Sequence, residues 1–187
     1  MVARTTIYLI RHAHAKWRQD EGPPLSEAGI KAATMVADRL ASRPIVAVYT
    51  SPARRSVETV APLARRLGLR AEPIPDLRER ELPVVPQDEF EPLVRRAWSS
   101  PCEAPREGES NVRAQARGLA VVRTIMSRHV GSEVVLGTHG NLLALVVNAL
   151  DSRFGYEFWL GLSFPDIYTL ASDGSEFRGI ARQWDAA

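Results

Sequence analysis

Ile7-Tyr8-Leu9-Ile10-Arg11-His12-Ala13 decides how this chain reads. Apolar residues of strand-forming type run straight into an arginine and a histidine, so a buried strand ends on two polar side chains. The same pattern recurs far downstream, where Val134-Val135-Leu136 leads to Thr138-His139-Gly140. A histidine at a strand exit offers a neutral nucleophile or base, and an adjacent arginine is a fork for phosphate oxygens. Two such exits in one chain point to phosphoryl chemistry carried by histidine.

Between the two exits, strand-like runs alternate with helical patterns. That alternation predicts an α/β fold: a three-layer sandwich whose central sheet is mainly parallel, with helices on both faces. The first strand covers residues 6–10. Ser26 caps a helix with Ile30, Ala33, Ala37 and Leu40 on its apolar face. A second strand spans 45–49, and Ser51-Pro52 reads as the capped start of a helix that stops at Gly68. A third strand lies near 71–74. Residues 109–128 form a long helix, 133–137 a strand and 141–150 another helix. The end, 167–184, reads as a hairpin turning at Asp173-Gly174.

The stretch 81–108 differs in composition. Pro83, Pro86, Pro92, Pro101 and Pro105 surround one helix-like segment carrying Phe90, Leu93, Val94, Ala97 and Trp98 on one face. It is an excursion from the sheet within a single domain of 187 residues, and a candidate lid over the site.

Composition narrows the function classes. Charged residues make up 25% and AVILMFWYC residues 45%, ordinary globular usage. Net charge is +2, and the arginines are scattered over many segments without forming a stripe, which speaks against nucleic acid. No apolar run approaches the ~20 residues that span a bilayer, and the N-terminus lacks a signal-peptide layout. The single cysteine, Cys102, rules out an internal disulfide framework. A cytoplasmic protein with no membrane partner is expected.

In open α/β sheets, ligands collect at the carboxyl ends of the strands. Arg11 and His12 follow strand one, Arg55 lies in the first helical turn after strand two, Glu79 follows strand three and His139 follows strand four. Arg54 and Arg55 point about 100° apart on a helix, so only one faces the site, and the spacing to Ser51 and Thr59 favours Arg55. The set matches the needs of phosphomonoester chemistry. Two guanidinium groups hold the dianion. A neutral imidazole attacks phosphorus in line. A carboxylic acid protonates the departing alkoxide and then activates water, and a bound dianion beside it couples its protonation to substrate binding. His14, two residues from His12, does not complete a metal site, because no cysteine or carboxylate cluster joins it. Asn141 is a candidate phosphate contact or a cap for the helix it begins.

Six motifs in order carry a family resemblance. They are Leu9-Ile10-Arg11-His12-Ala13, Pro24-Leu25-Ser26-Glu27-Ala28-Gly29, Thr50-Ser51-Pro52-Ala53-Arg54-Arg55-Ser56-Val57-Glu58-Thr59, Leu77-Arg78-Glu79, Gly108-Glu109-Ser110 and Thr138-His139-Gly140-Asn141. With them the chain resembles the histidine phosphatase superfamily, which also holds the cofactor-dependent phosphoglycerate mutases. The resemblance implies that His12 is the phosphorylated nucleophile and that Arg11, Arg55 and His139 bind the phosphoryl group. It implies Glu79 as proton donor, and no metal or other cofactor.

Departures from the family pattern are specific. Where the family often has arginine-histidine-glycine-glutamate-threonine and then tryptophan-asparagine, this chain has Ala13-His14-Ala15 and then Trp17-Arg18. Arg18 becomes a candidate contact for a second anionic group on the substrate. Leu82-Pro83-Val84-Val85 stands where glycine-tryptophan-glutamate-glycine is usual, which leaves Glu81 as the alternative to Glu79. The expectation is a metal-independent phosphomonoesterase of the histidine acid phosphatase type, monomer or homodimer, acting on a small-molecule phosphate ester. Mutase-type phosphoryl transfer, a protein phosphatase and a non-catalytic phosphate-binding module are the alternatives.

Overall fold

A computed structural model describes residues 4–16, 22–106, 108–173 and 176–185. The chain runs β1 (Thr5–Arg11), α1 (Glu27–Leu40), β2 (Ile45–Thr50), α2 (Arg54–Arg66), β3 (Ala71–Pro73), a 3-10 turn (Pro75–Leu77), α3 (Gln87–Ser99), α4 (Asn111–Arg128), β4 (Glu133–Thr138), α5 (Gly140–Leu150), α6 (Tyr156–Leu160), β5 (Asp166–Ser172) and β6 (Phe177–Arg182). The strands form one sheet in the order β3-β2-β4-β1-β5-β6. β3, β2, β4 and β1 run parallel, while β5 and β6 complete the sheet as an antiparallel hairpin. The tip of that hairpin, at Gly174, lies outside the described residues.

Both faces of the sheet are covered, which explains why its central strands are apolar without alternation. Ile7, Leu9, Val134 and Leu136 pack on one side with Leu142, Leu143, Val146 and Val122 from α5 and α4. Tyr8, Ile10, Val48 and Val135 pack on the other with Val36, Ala37, Val60 and Leu63 from α1 and α2. The period-two split of Ile7/Leu9 from Tyr8/Ile10 assigns the two faces. The result is the expected three-layer α/β sandwich.

Register positions the site. β4 is inserted between β1 and β2, and Arg11 pairs with Thr138, so the residues that follow each strand emerge side by side. The backbone N–H of His12 donates to the Thr138 carbonyl at 2.9 Å, fixing that juxtaposition.

Local expectations are met in part. Ser26 caps α1, its hydroxyl accepting from the Gly29 N–H at 3.0 Å. Three of the four expected apolar positions of α1, Ala33, Ala37 and Leu40, are buried with Gly29 and Val36 beside them, but Ile30 is 58% exposed. Close approach is the reason, since a Cβ on Gly29 would lie 2.1 Å from the His14 carbonyl oxygen. The helix after β2 starts later than expected, at Arg54 with Ala53 as N-cap, and Ser51 does not cap it. The short helix α6 has no counterpart in the sequence reading. It buries Trp159 beside Phe90 of α3, and the Tyr156 hydroxyl donates to Glu91 at 2.6 Å. With Val94 and Ala97 also buried, α3 is anchored on the α5 side of the sheet.

Candidate active site

At the carboxyl ends of β1 and β4, one guanidinium joins two imidazoles. Arg55 Nε donates to His12 Nε2 at 3.1 Å, and its Nη2 lies 3.1 Å from His139 Nδ1. Arginine has no acceptor, so both ring nitrogens present lone pairs. The opposite nitrogens are then the protonated ones. His12 Nδ1–H donates to the Ala13 carbonyl at 2.8 Å, and His139 Nε2–H donates to Ser51 Oγ at 2.8 Å. The two rings meet edge to face with centroids 5.2 Å apart.

Burial is the largest influence on both rings. It pulls the His12 pKa down to about 3, against the opposing bond to Ala13 and with help from the charges of Arg55 and Arg11. His139 is pushed well below the ordinary value by burial first, then by His12 and Arg55. The lowered pKa values favour the neutral form of both rings, as their lone-pair contacts with Arg55 require.

Arg11 supplies a second cation. Its Nη1 donates to the Leu162 carbonyl at 2.7 Å, and its guanidinium carbon sits 3.4 Å over the centre of the Phe164 ring. Burial lowers its pKa to about 10, with Glu79 and Asp166 opposing. Its buried Nε has no hydrogen-bond partner among the described residues. The helix start packs directly against this group: a Cβ on Gly140 would lie 2.9 Å from Arg11 Nε. A buried guanidinium donor left open beside a helix N-terminus suits an incoming anion.

Glu79 lies against the first turn of α5. Its Oε1 accepts from the backbone N–H of Arg80 (2.8 Å) and Leu142 (3.0 Å). Its Oε2 accepts from the Asn141 backbone N–H (3.1 Å) and side-chain amide (3.4 Å). A carboxylate here satisfies orphan amides of the helix and favours its dipole. Glu81 lies elsewhere, exposed and paired with Arg78 at 3.2 Å.

The arrangement brings together His12, His139, Arg11, Arg55, Glu79 and Asn141. Asn141 does not cap α5, a place taken by His139, and its amide turns to Glu79. Arg54 points away and pairs with Glu58 at 2.7 Å. Arg18 lies outside the described residues. His14 is an exposed neighbour, with Nδ1 2.9 Å from Ser26 Oγ. Two contacts escaped the sequence reading. The sequence offers Ser51 as a helix cap, although its place at the end of β2 puts it on the same edge as the histidines. Phe164 carries no local signal, being brought over Arg11 by the loop after α6. Among the described residues no group of His, Cys, Asp and Glu could hold a metal ion, and no helix is long and apolar enough to cross a membrane.

Known proteins resemble this chain over most of its length. The histidine phosphatase superfamily (branch 1) matches residues 7–172. A metal-independent phosphoserine phosphatase of Arabidopsis thaliana is 31% identical over 161 residues, 76% of this chain and 67% of that protein. A probable phosphoglycerate mutase of Yersinia enterocolitica is 29% identical over 158 residues, 77% of this chain and 74% of that protein. The solved structure of a mycobacterial glucosyl-3-phosphoglycerate phosphatase superposes with a TM-score of 0.77 at 25% identity, over 98% of this chain and 100% of that one.

Proposed function

The chain belongs to the histidine phosphatase superfamily, branch 1, and from that premise we propose that it is a metal-independent phosphomonoesterase working through a phosphohistidine on His12. The observation that carries this reading is the state of His12: a neutral ring whose Nδ1–H is tied to Ala13, leaving the Nε2 lone pair aimed into an arginine-lined site.

The steps follow from the groups at hand. The phosphate dianion is held by Arg11 and Arg55, and by His139 once its ring hydrogen sits on Nδ1 and the Ser51 hydroxyl donates to Nε2, while Arg55 gives up its bonds to the imidazoles for phosphate oxygens. His12 Nε2 attacks phosphorus in line, forming the P–N bond as the ester P–O bond breaks. Glu79 passes a proton to the departing alkoxide. Water then attacks the phosphoryl group, Glu79 takes the proton, the P–N bond breaks and inorganic phosphate leaves.

The relatives support small phosphorylated metabolites as substrates. The Arabidopsis protein is named for phosphoserine and the mycobacterial one for glucosyl-3-phosphoglycerate, and both compounds carry a carboxylate near the phosphate. Arg18 is our candidate contact for such a second anion, and Asn141 joins the substrate side through Glu79. The excursion at 81–108 is the segment of this single domain that would set specificity. Because α3 is anchored by Val94 and Ala97, the coil between Glu79 and α3 would do the covering. The exposed free thiol of Cys102 fits a reducing, cytoplasmic setting.

Hydrolysis of para-nitrophenyl phosphate between pH 5 and 8 with EDTA present, wild type beside His12→Ala, tests the reading. Activity should survive EDTA and disappear in the variant, and unchanged turnover in His12→Ala would sink the mechanism. The Yersinia relative gives a second reading, mutase-type transfer. Incubation with 3-phosphoglycerate and catalytic bisphosphoglycerate separates the two, since a mutase isomerises without matching phosphate release.

A further inference from the structure

We infer that Arg117, through its ion pair with Glu109, is the positioning residue that holds Glu79 where it can pass a proton; this rests on Glu79 being the proton donor proposed above. Among the described residues neither Arg117 nor Glu109 hydrogen-bonds to the phosphate-binding groups, and Arg117 reaches His139 only through its charge. Arg117 sits on α4, and its side chain is 11% exposed. Its Nη1 donates to the carbonyls of Asp76 (2.8 Å) and Arg78 (2.9 Å), and its Nη2 to the carbonyl of Glu79 (3.1 Å). Nε and Nη2 also close a bidentate pair on the Glu109 carboxylate at 2.9 and 2.7 Å.

Glu109 fastens the same segment from the far side. Its backbone N–H donates to the Glu81 carbonyl at 2.8 Å, and its own carbonyl accepts from Arg80 Nε at 2.8 Å. The turn is tied at a third point, where Thr138 Oγ1 donates to the Leu77 carbonyl at 2.8 Å. Burial opposes the Glu109 charge, and the hydrogen bonds and charge of Arg117 outweigh it, so its carboxyl stays below the ordinary range.

Residues 78–81 belong to no helix or strand, so no ladder fixes their backbone. A buried ion pair is a poor source of net stability, because desolvation consumes most of the attraction. Apolar side chains of similar size would fill the space. They could not hold three carbonyls of the segment that ends on Glu79. Lysine keeps the charge of Arg117 but concentrates its donors on one atom, and cannot span Glu109 and the carbonyls together.

The test compares phosphoenzyme formation by rapid quench from phenyl phosphate, whose leaving group needs a proton, and from 2,4-dinitrophenyl phosphate, whose leaving group does not. The variants are Arg117→Lys, Glu109→Gln, Glu79→Gln and the double variant Arg117→Lys/Glu79→Gln. Arg117→Lys should lose about 10- to 100-fold with phenyl phosphate and less than about threefold with the dinitro ester, with KM little changed. The loss should vanish when Glu79 is already glutamine. Glu109→Gln, which preserves shape, should show the same selectivity in smaller measure and serves if Arg117→Lys does not fold. Equal losses on both esters, or additive losses in the double variant, would overturn the inference. A Glu79→Gln enzyme that treats the two esters alike would remove Glu79 as proton donor and the inference with it, a result read from that variant alone.

Discussion

Arg55 occupies a lone pair on each histidine at once, and this shapes the resting site. Nε2 of His12, the nucleophile in the proposed mechanism, is held by a donor that a phosphate oxygen can draw away. Arg55 also contributes to the low His12 pKa, although burial contributes more. Arg55→Met should therefore move the His12 titration upward while leaving it below the ordinary value of about 6.5. Imidazole resonances followed by NMR from pH 3 to 8 would show this, and an unmoved midpoint would mean the guanidinium charge is screened from the ring. At this scale the sequence was informative where chemistry is local. Arg11 and His12 follow a strand by inspection, and helical geometry separated Arg55 from Arg54. It was silent where contacts close over long separations: Ser51 meets His139 and Arg117 meets Glu79 only because the fold brings together segments 88 and 38 residues apart.

The elements around the site are set by tight backbone contacts as much as by apolar faces. α1 shows this most clearly. The helical period of its sequence fits a face through Ile30 almost as well as one through Val36, and periodicity alone does not choose. Contact of Gly29 with the His14 carbonyl does, turning the helix so that Val36 goes inward. Gly29→Ala should be destabilising by about 1–3 kcal/mol, because its Cβ meets backbone that cannot rotate away, and this exceeds the ~1 kcal/mol that alanine gains in helix propensity. Urea denaturation at pH 7.5 measures it, and a neutral or stabilising result would show that the loop after β1 gives way freely. In α2, Ser51-Pro52 has the chemistry of a capped helix start, but Ser51 Oγ accepts from the Ala53 N–H at 3.2 Å, in the turn before the helix, as well as meeting His139. α6 went unread because a five-residue helix is too short for a periodic signal.

For the molecule as a whole, two buried neutral imidazoles tie stability to pH. In the unfolded chain a histidine takes up its proton as pH falls through about 6.5, whereas folded His12 resists until about pH 3. Protons therefore favour the unfolded state across that window. Stability should be at full strength above pH 6.5 and fall as the solution is acidified, ceasing to fall on this account only near pH 3. At pH 5 His12 alone corresponds to a loss on the order of 2 kcal/mol, and His139 acts in the same direction. Denaturant midpoints at pH 7.5 and 5.0 measure the combined loss, and His12→Gln should reduce it. Equal midpoints in the wild type would mean that the rings titrate normally.

The placement of β4 between β1 and β2 also has a temporal meaning. A chain leaving the ribosome carries Arg11, His12, Arg55 and Glu79 well before the strand that separates β1 from β2 has been made. Contacts such as that of the Gly131 N–H with Thr5 Oγ1, 126 residues apart, form only after most of the polypeptide has emerged. His139 arrives with that last central strand, and both the partner for Arg55 and the helix start that receives Glu79 arrive with it. A nascent or truncated chain ending before β4 thus holds His12 without the pocket around it, and the chemistry proposed for His12 waits until synthesis has passed the middle of the sheet.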